Sequence, residues 1–199
     1  MISENNNSVI YSKKLASDVN ALVEGVSSEQ LFILTDEHTK IHCLPLLQSE
    51  GAMKNAKVYT MPCGDHYKTI ETVVEIWKFL GENGGTRKSM LINLGGGVVT
   101  DLGGFVANTF KRGIRFINIP TTLLSMVDAA VGGKTGINFN GLKNEIGVIN
   151  PAETVVIYPD FLRSLDTENL LSGYAEMLKH GLLSSEEEMK KLNKFDARR

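Results

Sequence analysis

Cysteine is nearly absent. Cys43 and Cys63 are the only two in 199 residues, they are widely spaced, and neither has a Cys or His partner at metal-binding spacing. That excludes a disulfide framework and a cysteine zinc site and leaves two free thiols. Excess positive charge is missing too: 21 Lys and Arg stand against 23 Asp and Glu, a formal net charge of −2, with a pI near 6.1. Such a chain offers no basic footprint for nucleic acid. No apolar run reaches the roughly 18 residues of a spanning helix, and the opening MISENNNSVIYSKK has no signal-peptide core. The expectations are therefore no nucleic-acid partner, no membrane partner and a cytoplasmic location. Repeats and low-complexity tracts are lacking, apart from the solvated acidic run at 186–188. With 42% hydrophobic and 22% charged residues, what is left is an ordinary globular composition, long enough for one domain or slightly more.

Taken in order, the pattern predicts a polar lead at 5–7, a strand over 8–12 and a helix over 15–25. A buried strand over 31–35 ends at Asp36, with an amphipathic helix over 39–49 behind it. Strands over 56–61, 89–94, 115–119 and 154–158 alternate with helices over 70–81 and 98–111. Strands and helices at this interval imply βαβ units, hence an α/β fold with a largely parallel sheet and helices on both faces. After Pro159-Asp160 everything is helical in pattern. One α/β domain is expected over 1–159, and the first helices of an all-α domain over 160–199.

The stretch 91–150 concentrates glycine, lysine and isolated carboxylates between apolar runs. A strand that ends in Gly95-Gly96-Gly97 at a helix start gathers free backbone N–H groups and the positive end of the helix dipole, a place for an anion such as pyrophosphate. The dinucleotide fingerprint is only partly matched, because Thr100 stands where Gly or Ala should follow. Gly103 and Gly104 inside the helix indicate a close approach to the backbone, either by a ligand or by the sheet. Asp128, alone in LLSMVDAAV, is costly to bury unpaired; it reads as a carboxylate facing a cleft or as part of a helix's polar face. Gly132-Gly133-Lys134-Thr135 mimics a P-loop, but Asp128 occupies the required glycine position and no strand precedes it. Lys134, and Lys143-Asn144 after the turn signal Asn140-Gly141, suit phosphate or carboxylate recognition. In GYAEMLKH, Glu176, Lys179 and His180 share one helix face.

Together GGGVVTDLGGFVA, KRG at 111–113, IPTTLLSMVDAAVGGKTGIN, GLKNEIG and GYAEMLKHG resemble, in order and with natural spacing, the signature blocks of the 3-dehydroquinate synthases. The resemblance runs from about Gly64 to Leu183 and implies a Rossmann-like NAD-binding domain followed by the start of a helical metal and substrate domain. It implies NAD contacts from Asp36, Asp65, Lys68, Gly96, Gly97, Val98, Asp101, Thr121, Thr122, Lys134, Lys143, Phe161 and Ser164. Asp65 stands where the family has glutamate and Ser164 where it has threonine, while 166–169 departs from the pattern. Arg112, Lys134, Lys143, Asn144 and Lys179 are implied to hold a sugar-phosphate substrate, with Asp128 orienting it. Glu176 is implied as a ligand of a catalytic zinc or cobalt ion, and His180 as a packing residue. The family's two further ligands are histidines beyond this helix; His38, His42 and His66 do not match them, so the chain is expected to be an inactive fragment of an enzyme that is a homodimer at full length. The implied reaction converts 3-deoxy-D-arabino-heptulosonate 7-phosphate to 3-dehydroquinate and phosphate in the shikimate pathway. A sister sugar-phosphate cyclase, a polyol dehydrogenase of similar architecture and a non-catalytic NAD-binding module are the alternatives.

Overall fold

Eight strands organise the described residues: β1 (Ser8–Tyr11), β2 (Leu31–Asp36), β3 (Lys57–Met61), β4 (Met90–Gly95), β5 (Arg115–Pro120), β6 (Lys134–Phe139), β7 (Leu142–Ile149) and β8 (Thr154–Ile157). In this computed structural model, which describes residues 8–194, six of them form one sheet in the order β1-β8-β5-β4-β2-β3. Every pair in that sheet is parallel. The polar lead expected at 5–7 lies outside the described residues.

Successive strand side chains point to opposite faces, and β2 shows the consequence: Leu31 and Ile33 enter one apolar cluster, Phe32 and Leu34 another. The first cluster is covered by α1 (Leu15–Leu22) and by α3 (Leu44–Leu47), which follows the short α2 (Glu37–His42), through Leu15, Val19, Leu44 and Leu47. The second is covered by α4 (Ile70–Glu82) and α5 (Gly97–Thr109), through Val73, Ile76, Leu80, Val99, Leu102 and Val106. Helices thus lie on both faces of a parallel sheet, as expected. After β8 come a short 3-10 turn (Pro159–Ser164), α6 (Thr167–Ser184) and α7 (Glu186–Leu192), with no further strand among the described residues.

Two expectations need correction, and one open alternative is decided. The helix predicted over 39–49 is two helices meeting at Cys43; Pro45 lacks the N–H that a continuous helix would need and sits in the first turn of α3. Gly103 and Gly104 serve packing and not a ligand. A Cβ at Gly103 would lie 2.0 Å from Asn93 Oδ1 on β4, and one at Gly104 would lie 2.3 Å from Thr135 Cγ2 on β6. Finally, the segment around Asn140-Gly141 is a full antiparallel hairpin, β6 paired with β7. Asn140 and Gly141 have φ of 52° and 79°, the left-handed pair that a two-residue hairpin turn demands.

Candidate active site

Gly96 is the N-cap of α5 and no side chain caps that helix. Its first N–H groups and the positive end of its dipole therefore face a cleft of about 430 Å³ at the carboxyl ends of the strands. Gly96, Gly97, Val98, Thr121 and Thr122 line it from the sheet side, and Phe161 and Ser164 from the 3-10 turn. A Cβ at Gly96 would fall 3.1 Å from Thr122 Cγ2, so glycine is what lets the β4–α5 and β5 ends close on each other. Phe161 is also core, 3% exposed, its ring edge-on to Tyr158. Asp36 lines the cleft as well. Its Oδ1 accepts from Thr39 N at 2.8 Å and Thr39 Oγ1 at 2.9 Å in a capping box, so the residue caps α2 and borders the cleft at once.

Asp65, Lys68, Asp101, Lys143 and Asn144 gather in a second group beside the cleft. Lys68 is 4% exposed; its Nζ bonds Asp101 Oδ2 at 3.0 Å and Asn144 Oδ1. Burying an ammonium is costly unless it is paired, and these partners supply the compensation. Burial raises the Asp101 carboxyl above its usual range, with the Lys68 charge opposing and Asp65 and Asp128 adding to the rise. For Asp65, burial pushes up, but Lys143, Lys68 and Asn138 outweigh it and the carboxyl sits below its usual range. Lys143 Nζ reaches Asp65 Oδ2 at 3.0 Å.

A third group surrounds Glu176, one helical turn past the cleft-lining Ser172. Asp128 lies in a π-helical turn, Ser125–Ala129, a rare geometry that turns its carboxylate toward α6. His180 Nε2 is 3.2 Å from Asp128 Oδ1 and 3.5 Å from Glu176 Oε1, and Lys179 pairs with Glu176. Ligand atoms of Asp128, Glu176 and His180 all lie within 4.8 Å of one another. His180 is thus not a packing residue: its side chain is 48% exposed and faces two carboxylates. Its i, i+4 spacing from Glu176 was the available signal. This donor set of two carboxylates and an imidazole fits a zinc or cobalt ion.

Two expected residues stay outside these groups. Arg112 belongs to the turn Phe110–Arg112, before β5, at the edge where strands begin. The 13 residues of α5 separate it from the cleft by about 20 Å, and its φ of 70° is left-handed. Lys134 opens β6 with an exposed side chain and pairs with no carboxylate among the described residues.

A parallel doubly covered sheet with an uncapped glycine-rich helix start at its carboxyl edge defines a Rossmann-like α/β protein. The comparisons narrow the class: the family model for the 3-dehydroquinate synthase N-terminal region matches residues 58–172. The chain belongs to the 3-dehydroquinate synthase family. It is 52% identical over 188 residues to the 3-dehydroquinate synthase of Parabacteroides distasonis, covering 94% of this chain and 53% of that one. Among solved structures it resembles 2-epi-5-epi-valiolone synthase from Streptomyces hygroscopicus subsp. jinggangensis, which carries NAD+ and Zn2+. That likeness has a TM-score of 0.80 at 31% identity, over 92% of this chain and 51% of that one. A 2-deoxy-scyllo-inosose synthase complexed with carbaglucose-6-phosphate, NAD+ and Co2+ shares the fold, with a TM-score of 0.73 at 21% identity over 87% of this chain and 48% of that one. The chain thus spans about half the length of the relatives it matches.

Proposed function

We propose that residues 1–159 form the NAD-binding part, and 160–199 the beginning of the helical metal and substrate part, of a 3-dehydroquinate synthase. The reaction is conversion of 3-deoxy-D-arabino-heptulosonate 7-phosphate to 3-dehydroquinate and phosphate. The observation that carries the reading is the uncapped start of α5 at Gly96-Gly97, opening on a cleft lined by Gly64, next to the loop that carries Lys68, and by Ser172, one turn before Glu176.

In this reading the first amides of α5 bind the pyrophosphate, with Val98, Thr121, Thr122, Phe161 and Ser164 forming the walls. Asp36 uses the oxygen not engaged in its cap, and Asp65, Lys68 and Asp101 hold hydroxyls beyond it. When bound, NAD supplies reversible oxidation of a substrate hydroxyl, and a zinc or cobalt ion supplies polarisation of an oxygen. Glu176, with Asp128 and His180 beside it, would hold that ion. Lys143, Asn144 and Lys179 position the substrate's phosphate and carboxylate, and Lys134 joins them on the hairpin side. Arg112 sits too far along α5 to take part within its own cleft. An NAD-dependent step fits a cytoplasmic location. A homodimer is also proposed, with the exposed edge strand β7 as its surface.

The test is phosphate release by the full-length protein with NAD and a divalent metal. Turnover of the heptulosonate phosphate is expected, abolished by EDTA. Turnover only of sedoheptulose 7-phosphate or glucose 6-phosphate would move the chain to a sister cyclase.

A further inference from the structure

On β6 of the hairpin that carries Lys143 and Asn144, facing the loop with Asp65 and Lys68, sits Asn138, so far named only as a neighbour of Asp65. Ile137 pairs with Ile146 and Phe139 with Leu142, so the extra residues of this bulge-like shift lie on β7 and Asn138 is left without a ladder partner opposite them. Its hydrogen-bonding groups divide between the two segments, the N–H groups reaching the loop and the side-chain oxygen the hairpin tip. The backbone N–H donates to Lys68 O at 2.7 Å. The side-chain amide donates to Asp65 O at 3.0 Å and Asp65 Oδ2 at 3.2 Å. The side-chain carbonyl accepts from Asn144 N at 3.0 Å. That last bond fixes a backbone held at a φ of 55°, which in turn presents Asn144 Oδ1 to Lys68 Nζ.

We infer that Asn138 is a positioning residue that couples the loop 64–68 to the hairpin tip 140–144, so that ordering one orders the other and an NAD molecule held by the loop tightens the substrate-facing tip. Replacing it removes bonds to both segments at once. The backbone bond to Lys68 O survives, but the tip is then tied to the loop by the Lys68–Asn144 bond, whose Asn144 backbone has lost its brace, and by the Lys143–Asp65 pair, whose side chains are 76% and 40% exposed; exposed pairs hold geometry poorly. The functional half of the inference rests on the cofactor reading above; the mechanical half does not.

The test combines hydrogen exchange and NAD titration on the full-length protein and its Asn138→Ala variant. Without ligand, the variant should exchange faster in 64–68 and 140–144 together, while β2, β4 and β5 keep their protection. Adding NAD should protect 140–144 in the wild type and not in the variant, and affinity for NAD should fall about tenfold, or ~1.4 kcal/mol. Asn138→Asp separates positioning from space filling, because it keeps the shape but sets a carboxylate against Asp65. It should be no better than alanine in holding 64–68 and 140–144 against exchange. Loosening confined to the hairpin, or an aspartate variant indistinguishable from wild type, would overturn the coupling. Failure of the wild type to bind NAD would instead remove the cofactor reading, and joint or separate loosening in the unliganded protein would still decide the mechanical claim.

Discussion

Asp65 carries a residue-scale test that needs no ligand. Its folded-state pKa is lowered, so its stabilising bonds are fully present above the unfolded value near ~3.9 and are lost as pH falls through the lower folded value. Asp65→Asn should therefore reduce stability at pH 7, by no more than about 1 kcal/mol for a side chain this exposed. The gap from wild type should close as pH falls below about 4, read as urea midpoints. The two thiols, both lining the cleft, make a second test. Burial, reinforced by the Asp36 charge, pushes Cys43 up to about 12. Cys63 is raised chiefly by burial as well, but backbone N–H groups of His38 and Glu37 oppose the rise, and it is the less buried of the two. Iodoacetamide at pH 8 should label Cys63 and spare Cys43 in the folded protein, and NAD should slow the labelling. Equal rates would mean that the α2–α3 junction opens on the alkylation timescale. At this scale the sequence was only partly readable. Asp36 and the Gly95–Gly97 turn could be placed because they follow a strand, whereas Arg112 could not, since only the length of α5 shows which edge of the sheet it occupies.

Elements show where pattern reading holds and where it stops. The sheet and its covering helices were legible because one apolar period of two and one near 3.6 alternate along the chain. The β6–β7 hairpin was missed although Asn140-Gly141 is the strongest short-range hairpin signal, because the glycines and lysine around it read as a ligand loop. Its outer strand is exposed almost throughout, with Leu142 at 57% and Ile149 at 84%. An apolar open edge pairs readily with its own copy. On the homodimer proposed above, the double variant Leu142→Lys with Ile149→Lys should shift the protein from dimer to monomer in light scattering with an unchanged far-UV spectrum; a monomeric wild type would remove that proposal, and an unchanged dimer would place the interface elsewhere. Helix α5 gives a second element-scale expectation. Alanine at Gly103 gains roughly 1 kcal/mol of helix propensity but meets buried Asn93, whose amide is tied to Asn118. Overpacking of this kind costs about 1–3 kcal/mol, so Gly103→Ala should destabilise. Gly81→Ala in α4, with nothing within 4 Å of the added carbon, should stabilise by up to ~1 kcal/mol. Opposite signs in urea unfolding would confirm that sheet packing requires the α5 glycine.

At the scale of the whole molecule, the cleft has two walls of unequal firmness. One is the sheet edge with α5, built on fully buried strands; the other is the 3-10 turn and α6, whose Leu182 and Leu183 are 72% and 78% exposed. A helix with its apolar side unburied depends on partners for stability, so α6, with α7 after it, should exchange before α5 and the sheet. A ligand spanning both walls should then stabilise the weaker one most. NAD at a hundredfold over its Kd adds about 2.7 kcal/mol to any state that binds it, and the gain should appear as slowed exchange in 161–172. Metal should behave differently in the isolated 199 residues. Asp128 and His180 are each about half exposed, and the Lys179 ammonium already holds Glu176, so an ion must displace a cation to gain two water-accessible donors. Zinc retained after dialysis should be well below stoichiometric, and phosphate release from the heptulosonate phosphate should be undetectable, while NAD still binds. Stoichiometric zinc with turnover in these 199 residues would show that Asp128, Glu176 and His180 are a sufficient metal site and that the cleft needs no further wall.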